Sequence, residues 1–232
     1  VKMNIIILSN GPGLPEVVSL YGHSSEWIPS SIEEKNINYT VIKTYDNVSF
    51  DYSNADAFII TGSKYSVYDD AKWIHNLKLK VSDIIKLGKP ILGICFGHQL
   101  LASCLGGKVK KNIHGWELGS YEISLTKEGE KNPLFNNFND NDIVYESHQD
   151  VVLSLPEDAL ELAYSDKGNQ SFVYKNFLYG VQFHPEFSYN VTRKLMDLRI
   201  EKGIQVDNNE LLESKNSKNI LNNFIDIVKR RK

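Results

Sequence analysis

The chain has 232 residues, 41% of them hydrophobic, with a formal net charge of −3. That length suits one domain with a sizeable core. The near-neutral charge, broken only by the basic run Lys229–Lys232, removes support for a nucleic-acid partner. No apolar run reaches the roughly 20 residues of a membrane-spanning helix, so no membrane partner is expected.

In chain order, Asn4–Ser9 is a continuous apolar run, the pattern of a strand buried on both faces. Asn10-Gly-Pro-Gly13 breaks it as a turn; the segment lacks the Lys-Ser/Thr of a phosphate loop. A helix is expected over Ser24–Lys35, then strands at Tyr39–Lys43 and Ala57–Ile60. Trp73, Leu77, Val81, Ile84 and Ile85 recur at helical spacing up to Gly88, and Lys89-Pro90 launches another apolar strand. Strands alternating with helices predict a parallel sheet whose ligand site lies at the strands' carboxyl ends.

After Gly106-Gly107 the pattern changes to short strands, at Ser120–Leu125, Ile143–Tyr145, Val151–Ser154, Leu160–Tyr164, Gln170–Tyr174 and Leu178–Phe183. Helices at Thr192–Lys202 and Lys218–Lys229 follow, with 205–216 between them as a loop holding one short helical turn. The fold class expected is α/β: a flavodoxin-like doubly wound, mostly parallel sheet with helices on both faces and a smaller antiparallel strand region. It forms one domain over residues 1–232, with 190–232 a helical extension.

The chemistry concentrates at Cys95. It sits in Gly93-Ile-Cys95-Phe-Gly97, where an apolar strand runs into glycines and then a helix-forming stretch. That is the pattern of a nucleophile elbow, whose crowded turn needs small residues on either side. The following helix would direct its free N–H groups and positive dipole at the thiol. A cysteine nucleophile needs a base, and the base needs a group to orient it. His184-Pro-Glu186, at the end of the late strand, supplies both types. Two cysteines cannot build a disulfide framework, and no signal-peptide pattern precedes the first strand; the expected location is cytoplasmic.

Taken together, these segments resemble the class I glutamine amidotransferase family: the Gly-Ile-Cys95-Phe-Gly-His-Gln99 elbow, His184-Pro-Glu186, Thr61-Gly62-Ser63 after a strand, and Glu146-Ser-His-Gln-Asp150. The resemblance implies that Cys95, His184 and Glu186 are catalytic, and that the backbone N–H groups of Gly62 and Phe96 form an oxyanion hole. Gln99, Ser147 and His148, with Asp150, would hold the glutamyl moiety, the last three largely through the backbone. His98 reads as packing beside the elbow. His23, His75 and His114 lack partners at metal-ligand spacing, so no metal and no other cofactor is expected.

The reaction implied is hydrolysis of a γ-glutamyl amide through a thioester on Cys95. Three readings follow. In the first, the chain is a glutaminase that serves a separate synthase subunit. In the second, it is a stand-alone γ-glutamyl peptidase. In the third, it is a catalytically silent binding protein, which the complete set of Cys95, His184 and Glu186 argues against. The segment Ser19–Ile32 is longer than such domains usually carry there. Ser63–Asp70 and His114–Gly119 resemble stand-alone, GMP-synthase-like members and plant γ-glutamyl peptidases.

Overall fold

The alternation of strands and helices expected in the first half produces a parallel sheet. In the computed structural model, which describes residues 2–231, the run of isoleucines becomes β1 (Met3–Ser9). β2 (Ile37–Lys43), β3 (Ala57–Ile60) and β4 (Ile91–Ile94) align parallel to it. β12 (Leu178–Val181) completes the parallel set by pairing with β4. Beyond it the sheet turns antiparallel through β11 (Gly168–Tyr174), β10 (Ala159–Ser165) and β7 (Ser124–Leu125). The full order is β2-β1-β3-β4-β12-β11-β10-β7. β5 (Lys108–Lys111) with β9 (Asp150–Ser154), and β6 (Glu117–Glu122) with β8 (Ile143–His148), form two small antiparallel ladders.

Because successive strand residues face opposite sides, β1 feeds two cores. Ile5 and Ile7 join a cluster with Ile28 of α2 (Ser24–Ser31) and Ile220, Phe224 and Ile227 of α7 (Asn219–Arg230). Ile6 and Leu8 join another, with Ile74, Leu77 and Val81 of α3 (Lys72–Lys86) and Leu100 and Leu101 of α4 (Phe96–Cys104). Each fully buried aliphatic side chain in these layers contributes about 1.5–3 kcal/mol. Helices therefore cover both faces, as the alternating pattern predicts. α6 (Tyr189–Glu201) instead packs on α1 (Pro15–Tyr21) and on the β6–β8 ladder.

Several boundaries differ from expectation. The helix expected over Ser24–Lys35 stops at Ser31, because Pro29 removes a donor near its end and Ile32 is extended. An additional helix, α1, precedes it, with Pro15 in its first turn. The strand expected over Ser120–Leu125 divides at the buried Ile123: one part pairs with β8, the other with β10. β5 is too charged to show apolar alternation, and α5 (Lys127–Lys131) is a single short helix opened by the Thr126 hydroxyl, which accepts from Gly129 N. Residues 205–216 contain bends but no helical turn. In the basic run, Lys229 pairs with Glu34 at 2.6 Å; Lys232 lies outside the described residues. No helix among the described residues is long and apolar enough to cross a membrane.

Candidate active site

Three adjacent parallel strands, β3, β4 and β12, end at one edge of the sheet, and the chain just beyond them carries Gly62, Cys95 and His184. Cys95 has φ 52° and ψ −103°, a conformation that costs a residue with a Cβ on the order of 1–3 kcal/mol. The flanking glycines make the turn possible. A Cβ on Gly93 would lie 2.5 Å from the Gly97 carbonyl oxygen, and one on Gly97 would lie 2.3 Å from that of Ile60. Strand and helix thus approach backbone to backbone, as the Gly-x-Cys-x-Gly spacing predicts. The backbone N–H of Phe96 opens α4 directly after the thiol.

His184 is buried and anchored by its own N–H to the Tyr145 carbonyl at 2.8 Å. Its Nδ1–H donates to Glu186 Oε1 at 2.6 Å, which leaves Nε2 buried with no hydrogen-bond partner among the described residues. Phe187 stacks on the imidazole at 3.9 Å and 6°, and Trp27 of α2 meets Phe187 edge-on at 5.8 Å. Burial disfavours the imidazolium, but the Glu186 carboxylate and then Cys95 outweigh it and push the His184 pKa up to about 10. A base held so readily in its charged form suits a thiol donor whose proton must be taken and later returned. Gly62 packs against both groups: a Cβ there would lie 3.0 Å from His184 Cε1 and 3.5 Å from Cys95 Cβ.

Gln99 is buried one turn into α4, not exposed, and its Nε2 donates to the Asp150 carbonyl (3.0 Å) and to Gln182 Oε1 (3.1 Å). It therefore ties the elbow helix to the segment Ser147–Asp150. The Ser147 carbonyl lies 4.0 Å from Cys95 Sγ. Asp150 accepts hydrogen bonds from the Ser66 hydroxyl and, at 2.8 Å, from the Tyr68 hydroxyl, which fastens the loop after Gly62 over the site. His98 is buried against Phe172, its pKa lowered to about 3 by burial and then by His148, so it stays neutral.

His148 turns its ring into the interior. Its Nδ1–H donates to the Asp150 carbonyl at 2.7 Å, so Nε2 faces Glu117 Oε1 at 3.0 Å and Glu146 Oε2 at 3.1 Å. Three such atoms require a shared cation, and a proton suffices. The two carboxylates overcome burial and hold His148 well above its ordinary pKa, while burial and then Glu117 raise Glu146 to about 7. These ligand atoms lie within 4.8 Å of one another, a spacing a metal ion would also accept. Sequence spacing around His23, His75 and His114 gave no sign of this group, because β6 and β8 assemble it across a ladder. Sequence reasoning also passed over Lys64 and Arg199, both of which line the clefts beside Cys95.

With this geometry in hand, comparison with known proteins gives a consistent picture. Residues 16–200 match the class-I glutamine amidotransferase family. Gamma-glutamyl peptidase 5 of Arabidopsis thaliana is 35% identical over 150 residues, covering 63% of this chain and 60% of that protein. The glutamine-hydrolysing GMP synthase of Clostridium kluyveri is 33% identical over 184 residues, covering 78% of this chain but 34% of the synthase. The chain thus spans about 60% of the length of the γ-glutamyl peptidase relatives. A crystal structure of a glutamine amidotransferase from Thermotoga maritima shares the fold, with a TM-score of 0.77 at 23% identity over 100% of this chain and 98% of that one. The chain belongs to the class-I glutamine amidotransferase family.

Proposed function

We propose that the protein hydrolyses the C–N bond of a γ-glutamyl amide, with Cys95 as nucleophile, His184 as base and acid, and Glu186 as the group that orients His184. The observation that carries this reading is the convergence of the three side chains with Gly62 at neighbouring strand ends. Cys95 Sγ attacks the γ-carbonyl carbon, and its proton passes to His184 Nε2. The backbone N–H groups of Gly62 and Phe96 receive the oxyanion; one such donor is typically worth about 100- to 1000-fold in turnover. The C–N bond then breaks as His184 protonates the departing nitrogen, leaving a γ-glutamyl thioester. Water, deprotonated by His184, displaces the thiolate and glutamate leaves.

With glutamine as donor, the second product is ammonia, which a separate synthase subunit could take up. A second reading, peptidase action on γ-glutamyl peptides, is favoured by a wide cleft on the His184 side of the thiol. The test is glutamate release from glutamine and from γ-glutamyl dipeptides, with Cys95→Ala as the blank. Release by the wild type and none by Cys95→Ala is expected; equal release by both would end the assignment.

A further inference from the structure

Two clefts meet beside the thiol. The first is polar, lined by Cys95, Gln99 and residues 147–150. The second is an open cleft lined by His184 and Glu186 together with the apolar Leu14, Val17 and Trp27. Ser63, Lys64, Ser147 and Arg199 border both. The direction of proton transfer decides which half of a substrate goes where. The acyl carbon must reach Cys95, and the departing nitrogen must face His184, which protonates it. His184 lines the second cleft and not the first, so the leaving group extends into the apolar space. Ammonia, about the size of a water molecule at roughly 30 Å³, has no use for that space.

Arg199 stands at the junction. Its guanidinium lies over Trp116, 4.8 Å from the ring centroid, a contact that holds the group at the junction. Its Nε is buried without a hydrogen-bond partner, and among the described residues no carboxylate stands within ion-pair distance of it. Lys64, exposed beside it, likewise has no carboxylate partner among these residues. A partly buried cation left unpaired is costly unless something arrives to pair it.

We infer that the second cleft is a leaving-group subsite for an amino acid with a free α-carboxylate and an apolar or aromatic side chain, the carboxylate held by Arg199 with Lys64. The favoured substrates are then γ-glutamyl dipeptides of that kind. In such a dipeptide the second carboxylate is one carbon from the scissile nitrogen, which puts it at the junction, while the side chain points toward Leu14, Val17 and Trp27. The bond broken is the γ-glutamyl C–N bond, and the products are glutamate and the free amino acid. This inference rests on the hydrolase reading above.

The experiment compares γ-Glu-Phe, γ-Glu-Gly, γ-glutamyl phenethylamide (which lacks the second carboxylate) and glutamine, on the wild type, Arg199→Gln, Arg199→Lys and Lys64→Gln. The expected order of kcat/KM for the wild type places γ-Glu-Phe first. Arg199→Gln should lower kcat/KM for γ-Glu-Phe about 10- to 100-fold more than for the phenethylamide, the range for a lost charge-assisted hydrogen bond. Arg199→Lys should recover part of that loss, and the exposed Lys64→Gln should give a smaller loss of the same selectivity. Equal losses on γ-Glu-Phe and the phenethylamide, or a wild type that prefers glutamine, would overturn the inference. Calorimetric binding to the 232-residue Cys95→Ala chain separates it from the hydrolase reading. If the wild type turns over nothing, that reading fails; tighter binding of γ-Glu-Phe than of the phenethylamide, lost with Arg199→Gln, still supports the subsite, and equal binding refutes it.

Discussion

Gly62→Ala isolates what the tight packing of the site does for catalysis. The added Cβ would lie 3.0 Å from His184 Cε1 and 3.5 Å from Cys95 Cβ, so something must move by a few tenths of an ångström. The imidazole has little freedom, being fixed by the 2.6 Å bond to Glu186 and stacked on Phe187 at 3.9 Å. A misplacement of about 1 Å costs on the order of 100-fold, so a shift of a few tenths costs about 3- to 10-fold in kcat. If the loop yields instead, the Gly62 N–H leaves the oxyanion position proposed for it and the loss approaches 100-fold or more. Stability should change by less than about 1 kcal/mol, because Gly62 does not have positive φ and Gly→Ala at such a site also restricts the unfolded chain. Steady-state glutamate release gives kcat and KM, and urea unfolding gives the stability. An unchanged kcat would refute the packing argument; a stability loss of several kcal/mol would show that the glycine serves folding instead.

At the proposed nucleophile, Cys95→Ala should abolish turnover and leave the unfolding midpoint nearly unchanged, whereas Cys95→Gly should be the more stable of the two by about 1 kcal/mol, since only the glycine adopts φ 52° without strain; equal urea midpoints would remove the strain argument. Glu186→Gln removes the main charge that opposes burial at His184, so the His184 pKa should fall well below about 10, as read by imidazole NMR. Because the folded value is raised, the pairing stabilises fully below about 6.5 and its contribution disappears as pH rises through about 10; the stability gap between wild type and Glu186→Gln should narrow over that interval. Glu146, raised to about 7 by burial and then Glu117, runs with the same sign: its contribution is complete below about 4.5 and lost as pH rises through 7. Glu146→Gln should flatten the stability–pH profile between those values, and an unaltered slope would show that the group does not titrate there.

The sheet was legible because its signals are local. Ile5 to Leu8 are apolar on consecutive residues, and only a strand sandwiched between two helix layers uses such a run on both faces. The same holds at Cys95, where the spacing of Gly93 and Gly97 reports a backbone packing so close that an added Cβ would lie 2.3–2.5 Å from a carbonyl oxygen. Legibility failed where tertiary pairing overrides pattern. Lys108–Lys111 is too charged to show apolar alternation, yet it becomes a strand because β9 supplies its hydrogen-bond partners. Ser120–Leu125 reads as one strand, yet the chain changes partners at Ile123.

The site divides along the same line. Each group proposed for bond making follows an apolar strand within a short motif, so residue type and spacing expose it. The groups proposed to choose the leaving amine do not. Leu14, Val17 and Trp27 come from two short helices after β1, Lys64 from the loop after β3, and Arg199 from the last turn of α6. In sequence Arg199 looks like an ordinary cation near a helix carboxyl terminus, complementary to the dipole. Only the fold shows that it lies over Trp116, at the junction of two clefts and without a carboxylate among the described residues. The hydrolytic chemistry proposed for this chain is thus written in contiguous motifs, while the proposed preference among γ-glutamyl amides is assembled from segments that meet only when the sheet closes, and it can change without altering any of those motifs.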